Sequence, residues 1–307
     1  VIFGATGDLT KRKLIPALFS LYKMELLPQE FTILAFARRE YTSETIAETF
    51  TPFITDDQGM WNHFAKHIKY VRGDFDSVDS FKVLKESIRQ YESEMGECLS
   101  KLYYMATSPD ALPLIIDHIG EVGLHIGCGE EGKWTRVIIE KPFGHDLASA
   151  QELNTHLMKF FIEEQIYRID HYLGKETVQN ILSVRFTNVL FRPVWNKDYI
   201  DSIEIIASEE LGIEGRGGYY DGAGALRDMI QSHLLQLVAL STMDEPEQYD
   251  ASAIRDKKNE ILTALRPYTQ ETIATETVRG QYDGYTSEEK IAPGSETETF
   301  VALRTYV

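Results

Sequence analysis

The fold of the first half is decided by the stretch Val1-Ile2-Phe3-Gly4-Ala5-Thr6-Gly7-Asp8-Leu9. Three apolar residues suit the end of a buried strand, two glycines follow, and apolar residues then recur at helical spacing over residues 14–22. In a strand, glycine turn and helix, the backbone can approach a pyrophosphate and the helix N-terminus supplies donors. The stretch predicts a dinucleotide-binding domain, although the third glycine of the full motif is absent and a turn without a ligand is the alternative. Pro16 predicts an extended turn with a late start of the regular helix.

Strand and helix patterns alternate through the rest of the first half. Apolar runs predict strands at residues 32–37, 68–71, 102–106, 137–139 and 165–167, and helices at residues 77–95 and 111–119. Such alternation predicts a Rossmann-type, doubly wound parallel sheet, whose ligands bind at the carboxyl ends of the strands. We assign this domain to residues 1–169.

Two adjacent cations, Arg38 and Arg39, follow the second predicted strand, and no acid precedes Glu40. An acid near this point usually holds the ribose 2′-hydroxyl of NAD, whereas an arginine suits a 2′-phosphate. The pair therefore favours NADP. A solvated charge pair at a strand end is the alternative.

The second half, residues 170–307, is less regular and is predicted as an α+β domain. Residues 201–208 alternate as a strand with one covered face, residues 214–221 are predicted as a glycine-rich loop, and residues 224–243 as a helix. A surface helix is predicted at residues 253–265, and strands at 297–307 and within 272–279. His233 lies on the apolar stripe of its helix, where a buried structural histidine is the ordinary interpretation. On an ideal α-helix Asp228 points about 140° away from it.

Bulk composition excludes several classes of partner. The chain has 307 residues and a net charge of −17, which argues against nucleic acid and anionic membrane surfaces. Two cysteines, Cys98 and Cys128, lie far apart in no metal-type spacing and are predicted as unpaired thiols of a reducing compartment. With no long apolar run, a cytoplasmic protein is expected. Because the chain starts at Val1 inside a predicted strand, we expect a partial sequence.

A second stretch carries the chemistry: Arg168-Ile169-Asp170-His171-Tyr172-Leu173-Gly174-Lys175. It brings an acid, an imidazole, a phenol and two cations to the junction of a predicted strand and helix, where an anion is favoured. A polar turn with a few salt bridges is the alternative. The stretch closely resembles the signature of the glucose-6-phosphate dehydrogenase family. The family pattern is also matched by the opening glycine turn, by Glu140-Lys141-Pro142-Phe143-Gly144, by the run from Leu226 to Gln236, and by Arg279-Gly280-Gln281-Tyr282.

The resemblance implies oxidation of D-glucose 6-phosphate to 6-phospho-D-glucono-1,5-lactone with NADP, the first step of the oxidative pentose phosphate pathway, and no metal. His233 is implied as the general base, with Asp170 as its partner. The implied substrate-binding residues are Lys141, His171, Tyr172, Lys175, Glu214 and Asp228. The implied cofactor-binding residues are Gly4, Ala5, Thr6, Gly7, Asp8, Leu9, Arg38, Arg39, Ala106 and Lys141.

The resemblance also implies a cis peptide bond before Pro142 and a large, mainly antiparallel sheet in residues 170–307, incomplete in this chain. That domain would bind substrate and form a homodimer or homotetramer. Arg192 departs from the family pattern, where an acidic or small polar residue is expected.

Two other functions remain open. A related sugar dehydrogenase would use NAD or an unphosphorylated sugar, and the cations Arg38, Arg39, His171 and Lys175 speak against it. A nucleotide-binding module without turnover would have lost the base or its acid partner, and both His233 and Asp170 are present.

Overall fold

A six-stranded parallel sheet forms the centre of Val1–Ile169, the first of two units into which the computed structural model divides the chain. The structure describes residues 1–55, 57–129 and 132–307. The strands in chain order are β1 (Ile2–Phe3), β2 (Ile33–Ala37), β3 (Ile68–Arg72), β4 (Lys101–Met105), β5 (Thr135–Ile139) and β6 (Ile166–Arg168). Their order across the sheet is β3-β2-β1-β4-β5-β6, which confirms the predicted doubly wound fold.

The described residues of this unit also form the helices α1 (Ile15–Lys23), α2 (Ser43–Glu48), α3 (Gln58–Phe64), α4 (Val78–Met95), α5 (Leu112–Glu121) and α6 (Leu147–Leu157). The predictions for α1, α4 and α5 are confirmed, whereas α2, α3 and α6 were not predicted. A π-helical turn, Thr10–Leu14, leads into α1 instead of the extended turn that we expected. Pro16 is the second residue of α1, which directly follows this π-helical turn, so the regular helix starts late, as expected.

Strand β2 shows why the sheet is covered on both faces. All five of its residues are buried. Leu34 and Phe36 join the core cluster that contains Phe81, while their neighbours join a second cluster around Phe19 and Trp61. Because successive side chains of a strand point to opposite faces, a continuous apolar run requires helices on both sides.

The prediction of two unpaired thiols is wrong. Cys98 and Cys128 form a disulfide, with their Cα atoms 6.3 Å apart. Cys98 lies between α4 and β4, and Cys128 lies between α5 and β5. Both connections reach the amino ends of two adjacent strands, so the topology brings together cysteines that are separated by 30 residues in sequence.

The second unit, Asp170–Val307, is mainly helical. Its helices are α7 (Glu176–Leu182), α8 (Gly217–Ala225), α9 (Leu235–Thr242), α10 (Ala251–Ala264) and α11 (Gln270–Glu276). Strands β7 (Thr277–Gly280) and β8 (Phe300–Leu303) form a two-stranded antiparallel sheet. A π-helical segment, Leu226–Leu234, joins α8 to α9, and another, Ser183–Thr187, follows α7.

Several predictions for this unit are wrong in part. Residues 201–208 alternate like a strand but have no regular structure, because none of the described strands pairs with them. The predicted loop at 214–221 is the 3₁₀ turn Glu214–Arg216 followed by α8. Gly217 permits this helix to pack closely, since a Cβ there would lie 2.1 Å from the carbonyl oxygen of Glu289. The strand predicted within 272–279 is confirmed, because its last three residues belong to β7, while the residues before them continue α11 from its Thr269 cap.

None of the helices in the described residues has the length and apolar character needed to cross a lipid bilayer.

A buried arginine fixes the end of α9. Arg185 is 5% exposed and donates hydrogen bonds of 2.7 Å to the carbonyl oxygens of both Leu240 and Met243. Trp195 donates from Nε1 to the carbonyl oxygen of Ser241 at 2.9 Å. Burial lowers the pKa of Arg185. These donors satisfy carbonyls at a helix C-terminus that lack partners within the helix.

Replacing this arginine should destabilise the second unit. We expect Arg185→Met to lower the free energy of unfolding by roughly 2–4 kcal/mol, because two buried carbonyls lose charged donors. Urea unfolding followed by circular dichroism would measure the change. Arg192→Met is the matched control, since Arg192 is exposed and pairs with Glu245 at 2.7 Å on the surface, so its loss should cost less than about 1 kcal/mol. Equal effects of the two substitutions would contradict this account of Arg185.

Candidate active site

The centre of the site is a hydrogen bond between a buried imidazole and a carboxylate. His233 is fully buried, and its Nδ1 lies 2.5 Å from Oδ1 of Asp170. The same oxygen accepts the backbone N–H of Tyr172 at 3.0 Å. With Nδ1–H donated to the carboxylate, a neutral imidazole carries its lone pair on Nε2. Asp170 therefore sets both the orientation of the ring and the nitrogen that can accept a proton.

Three residues of the turn after Asp170 surround this pair. The ring of Tyr172 stacks on His233 with centroids 4.2 Å apart, and the ring of His171 meets His233 edge-on at 4.4 Å. Nζ of Lys175 lies 3.7 Å from the centroid of the Tyr172 ring. Sequence analysis singled out all five residues of this group, and the structure brings them together.

Donor atoms of Asp170, His171 and His233 lie within 4.8 Å of one another, close enough to raise the question of a metal. Zinc ligands lie about 2.0–2.2 Å from the ion. The hydrogen bond between Asp170 and His233 already engages one potential ligand atom of each residue, Oδ1 and Nδ1. The geometry therefore suits proton transfer better than metal binding.

Asp228 shares the buried side of its helix with His233. Asp228 is 5% exposed, and the segment Leu226–Leu234 is wound as a π-helix. Because a π-helix forms i→i+5 hydrogen bonds, residues five apart lie close to one side of it. The 140° separation expected for an ideal α-helix is therefore wrong for this segment.

Electrostatics place Asp228 near the aromatic part of the site. Burial raises the pKa of Tyr172, and the negative charges of Glu209, Asp170 and Asp228 raise it further. Several carboxylates thus act on the phenol that stacks on His233.

Two partners of Asp228 were missed in the sequence. A guanidinium nitrogen of Arg216 lies 3.4 Å from Asp228 Oδ2, and the Tyr219 hydroxyl donates to Oδ1 at 3.3 Å. Burial and the charge of Asp228 raise the pKa of Tyr219 to about 12. Both residues belong to the stretch that was predicted as a glycine-rich loop, so no helical face could be assigned to them. Glu214 begins the same turn, exposed and with a positive φ of 45°.

In the first unit, the glycine turn lies where the strand order reverses. Gly4 has a φ of +79°, and a Cβ on it would lie 2.2 Å from the carbonyl oxygen of Ala106, the residue after β4. The N–H groups of Gly4 and Ala5 both donate to the carbonyl oxygen of Phe36, at 3.1 and 3.3 Å. Only glycine fits this position, and residues 4–9 are thereby held against the ends of β1, β2 and β4.

A third arginine, from β3, lies beside the two cations that follow β2, and the sequence did not reveal it. Arg38 and Arg39 are exposed. Arg72, the last residue of β3, lies 2.6 Å from the carboxylate of Glu40 and donates to the carbonyl oxygen of Arg38 at 3.3 Å. Arg72 therefore pairs with the acid that directly follows Arg38 and Arg39 in sequence.

Lys141 follows β5 in a turn of fixed shape. The peptide bond between Lys141 and Pro142 is cis, as predicted. Gly144 has a φ of +79°, and a Cβ there would lie 2.5 Å from the backbone nitrogen of Ala150. Asp146 then caps α6, accepting the N–H of Ser149 at 2.8 Å. At the start of the same turn Glu140 accepts a hydrogen bond from the hydroxyl of Tyr104 on β4.

Two family models together cover nearly the whole chain. The model described as glucose-6-phosphate dehydrogenase, NAD binding domain, matches residues 1–180. The model described as glucose-6-phosphate dehydrogenase, C-terminal domain, matches residues 182–307.

Individual relatives agree with these matches. The chain is 42% identical over 322 residues to glucose-6-phosphate 1-dehydrogenase 2 of Mycobacterium tuberculosis, covering 99% of this chain and 61% of that protein. It is 43% identical over 319 residues to glucose-6-phosphate 1-dehydrogenase of Aggregatibacter actinomycetemcomitans, covering 99% of this chain and 64% of that one. The chain thus spans less than two thirds of the length of these relatives.

Solved structures are similar along the whole chain. A glucose-6-phosphate dehydrogenase in complex with its substrate glucose-6-phosphate has a TM-score of 0.90 and 37% identity, covering 100% of this chain and 64% of that one. Glucose-6-phosphate 1-dehydrogenase from Mycobacterium avium has a TM-score of 0.86 and 36% identity, covering 100% of this chain and 65% of that one.

Proposed function

The chain belongs to the glucose-6-phosphate dehydrogenase family, and on that premise we propose that it oxidises D-glucose 6-phosphate to 6-phospho-D-glucono-1,5-lactone with NADP. This reaction is the first step of the oxidative pentose phosphate pathway. The observation that carries the proposal is the 2.5 Å hydrogen bond between buried His233 and Asp170, with His171 and Lys175 close by.

In the proposed mechanism His233 is the general base. Oxidising the hydroxyl at C1 of the sugar requires removal of its O–H proton while a hydride leaves the same carbon. Nε2 of His233 takes the proton, and Asp170 stabilises the imidazolium that forms. NADP, when bound, accepts the hydride.

The proposed substrate groups divide by charge. His171, Tyr172 and Lys175 offer an imidazole, a hydroxyl and an ammonium, which suit the phosphate. Glu214, Asp228 and Lys141 offer acceptors and a donor for the sugar hydroxyls. Asp228 is held by Arg216 and Tyr219, so its carboxylate is oriented before substrate arrives.

The residues of the first unit fit NADP. The Gly4 turn leaves no room for a side chain against Ala106, which fits the tight first turn of a dinucleotide-binding motif. Residues Gly4, Ala5, Thr6, Gly7, Asp8 and Leu9 with Ala106 and Lys141 would hold the dinucleotide, and Arg38 and Arg39 its 2′-phosphate. We therefore assign residues 1–169 to cofactor binding and 170–307 to substrate binding and dimerisation.

Assembly and location are also proposed. A homodimer or homotetramer fits the apolar side chains of Val278 and Phe300, which are 61% and 55% exposed on the small antiparallel sheet. A cytoplasmic location fits a charged substrate and cofactor that do not cross membranes unaided. The cytoplasm is reducing, so the disulfide between Cys98 and Cys128 argues against this location. Alkylation of these cysteines in freshly lysed cells would test the location, because only reduced thiols are alkylated.

The proposed reaction is tested by following nicotinamide reduction by the intact protein. We expect turnover with glucose 6-phosphate and NADP, and turnover at least about tenfold weaker when glucose replaces the phosphate ester or NAD replaces NADP. Turnover with NAD and plain glucose alone would favour the related sugar dehydrogenase. Folded protein that binds nucleotide but turns over none of these pairs would favour the non-catalytic module.

Arg38 should set the preference for NADP. We expect Arg38→Ala to raise the KM for NADP about 10- to 100-fold and the KM for NAD little, because only the 2′-phosphate loses a charged partner. Steady-state kinetics with both cofactors measure the ratio. Arg89→Ala, an exposed arginine on α4 that pairs with Glu86 at 3.6 Å, is the matched control. An unchanged ratio would remove Arg38 from the 2′-phosphate site.

Removing the base should stop turnover without abolishing binding. We expect His233→Asn to lower kcat by about 10²–10⁴-fold, the range of general base catalysis, with the Kd for glucose 6-phosphate within a few-fold. Calorimetry gives the Kd and the reduction assay gives kcat. His63→Asn, at an exposed histidine of α3, serves as control. Retained turnover in the His233 variant would show that another group takes the proton.

A further inference from the structure

One lysine of α10 lies on the side of the helix that faces the core. Ile254 and Ile261 pack against the cluster that contains Leu240 and Met243, and Lys258 lies between them at the same helical spacing. A cation on a partly buried face is costly unless it has a partner. The predicted surface helix at 253–265 therefore carries a charge that faces inward.

The partners of Lys258 lead to the Asp170–His233 pair. Its Nζ donates to Oε1 of Gln236 at 2.9 Å, and Gln236 lies three residues after His233 on the continuous helix. Burial lowers the pKa of Lys258, while attraction to the Asp170 carboxylate acts in the opposite direction. Lys258 is thus a partly buried cation held by a side chain that lies less than one helical turn from His233.

The preceding lysine provides an internal contrast. Lys257 faces Glu260 on its own helix, with Nζ 2.9 and 3.0 Å from the two carboxylate oxygens. Adjacent lysines of α10 thus have different environments. Lys257 pairs with an acid on its own helix, and Lys258 pairs with Gln236 on the helix that carries His233.

We propose that Lys258 is a positioning residue: held by Gln236, three residues from His233, it keeps a positive charge near the Asp170–His233 pair and keeps His233 in its neutral, proton-accepting form to lower pH. The positive charge stabilises the carboxylate and opposes a second cation on the imidazole. Gln236 holds the ammonium in place from the helix that carries His233. The inference rests on the proposed function of His233 as the base.

Other charged or titratable groups also face the pair, and all are retained when Lys258 alone is replaced. His171 and Tyr172 contact His233 directly, Lys175, Asp228 and Glu209 act on Tyr172, and Arg255 acts on Lys258 itself. A change in the titration of His233 after substitution of Lys258 can therefore be assigned to that one charge.

The first test is the pH dependence of kcat/KM in the intact protein. We expect Lys258→Met to move the acid limb to higher pH by roughly 0.5–1 unit, with kcat on the alkaline plateau within about threefold of the original protein. Lys258→Arg should keep the limb in place, since it retains the charge. Lys257→Met should also leave it unchanged.

The second test does not depend on turnover. Histidine labelled with ¹³C at Cε1 gives a titration curve for His233, assigned with His233→Asn, and Lys258→Met should shift its midpoint in the same direction as the acid limb. If glucose 6-phosphate proves not to be the substrate, this titration still decides the role of Lys258.

Three results would overturn the inference. One is an unchanged titration of His233. Another is a rise in the KM for glucose 6-phosphate with no shift of the acid limb, which would make Lys258 a substrate-binding cation. The third is a failure to fold in both Lys258→Met and Lys258→Arg, although the second variant keeps the charge. If Lys258→Met fails to fold, Lys258→Gln keeps a polar group near Gln236 and is expected to give the same shift.

Discussion

The hydrogen bond between Asp170 and His233 is the constraint on which the second unit depends. A fully buried imidazole needs partners in fixed positions, and here the carboxylate stands at the start of a turn that also stacks an aromatic ring on the imidazole. The helix that carries His233 is fixed at its far end by Arg185 and on its side by Lys258. These contacts restrict the conformational freedom of the His233 imidazole.

In the first unit, the corresponding constraint is steric. Gly4, after β1, lies so close to the carbonyl oxygen of Ala106, after β4, that the backbones of the two strand ends pack directly against each other. The reversal of strand order at this point leaves a crevice at the carboxyl ends of β1 and β4. The positive end of β2, with Arg38 and Arg39, borders the same edge of the sheet.

The sequence predicted those parts of the fold in which one pattern decides the structure. Buried strands such as β2, and the long amphipathic helix α4, follow from periodicity alone. The alternating residues 201–208 could not be assigned correctly, because a strand also needs a neighbour. Residues 214–221 could not be assigned either, because their glycines indicate a loop, and the close contact between Gly217 and Glu289 is not visible in the sequence. The disulfide depends on which strands are adjacent, which no spacing rule reveals.

Four of the residues around His233 came from one contiguous stretch, Asp170 to Lys175, because a turn keeps sequence neighbours together in space. Arg216, Tyr219 and Lys258 were missed because each reaches the site from a different element. For Lys258 a signal existed: it stands at i+4 from Ile254 and i−3 from Ile261, on the stripe that the core should cover.

The π-helical segment Leu226–Leu234 makes the site sensitive to the winding of one helix as well as to its composition. A π-helical turn is equivalent to an α-helix that has received one additional residue, and the wider turn absorbs that residue. If the same residues were wound as a regular α-helix, Asp228 and His233 would point about 140° apart. The imidazole and the carboxylate would then both be intact, and they would no longer share one side of the helix.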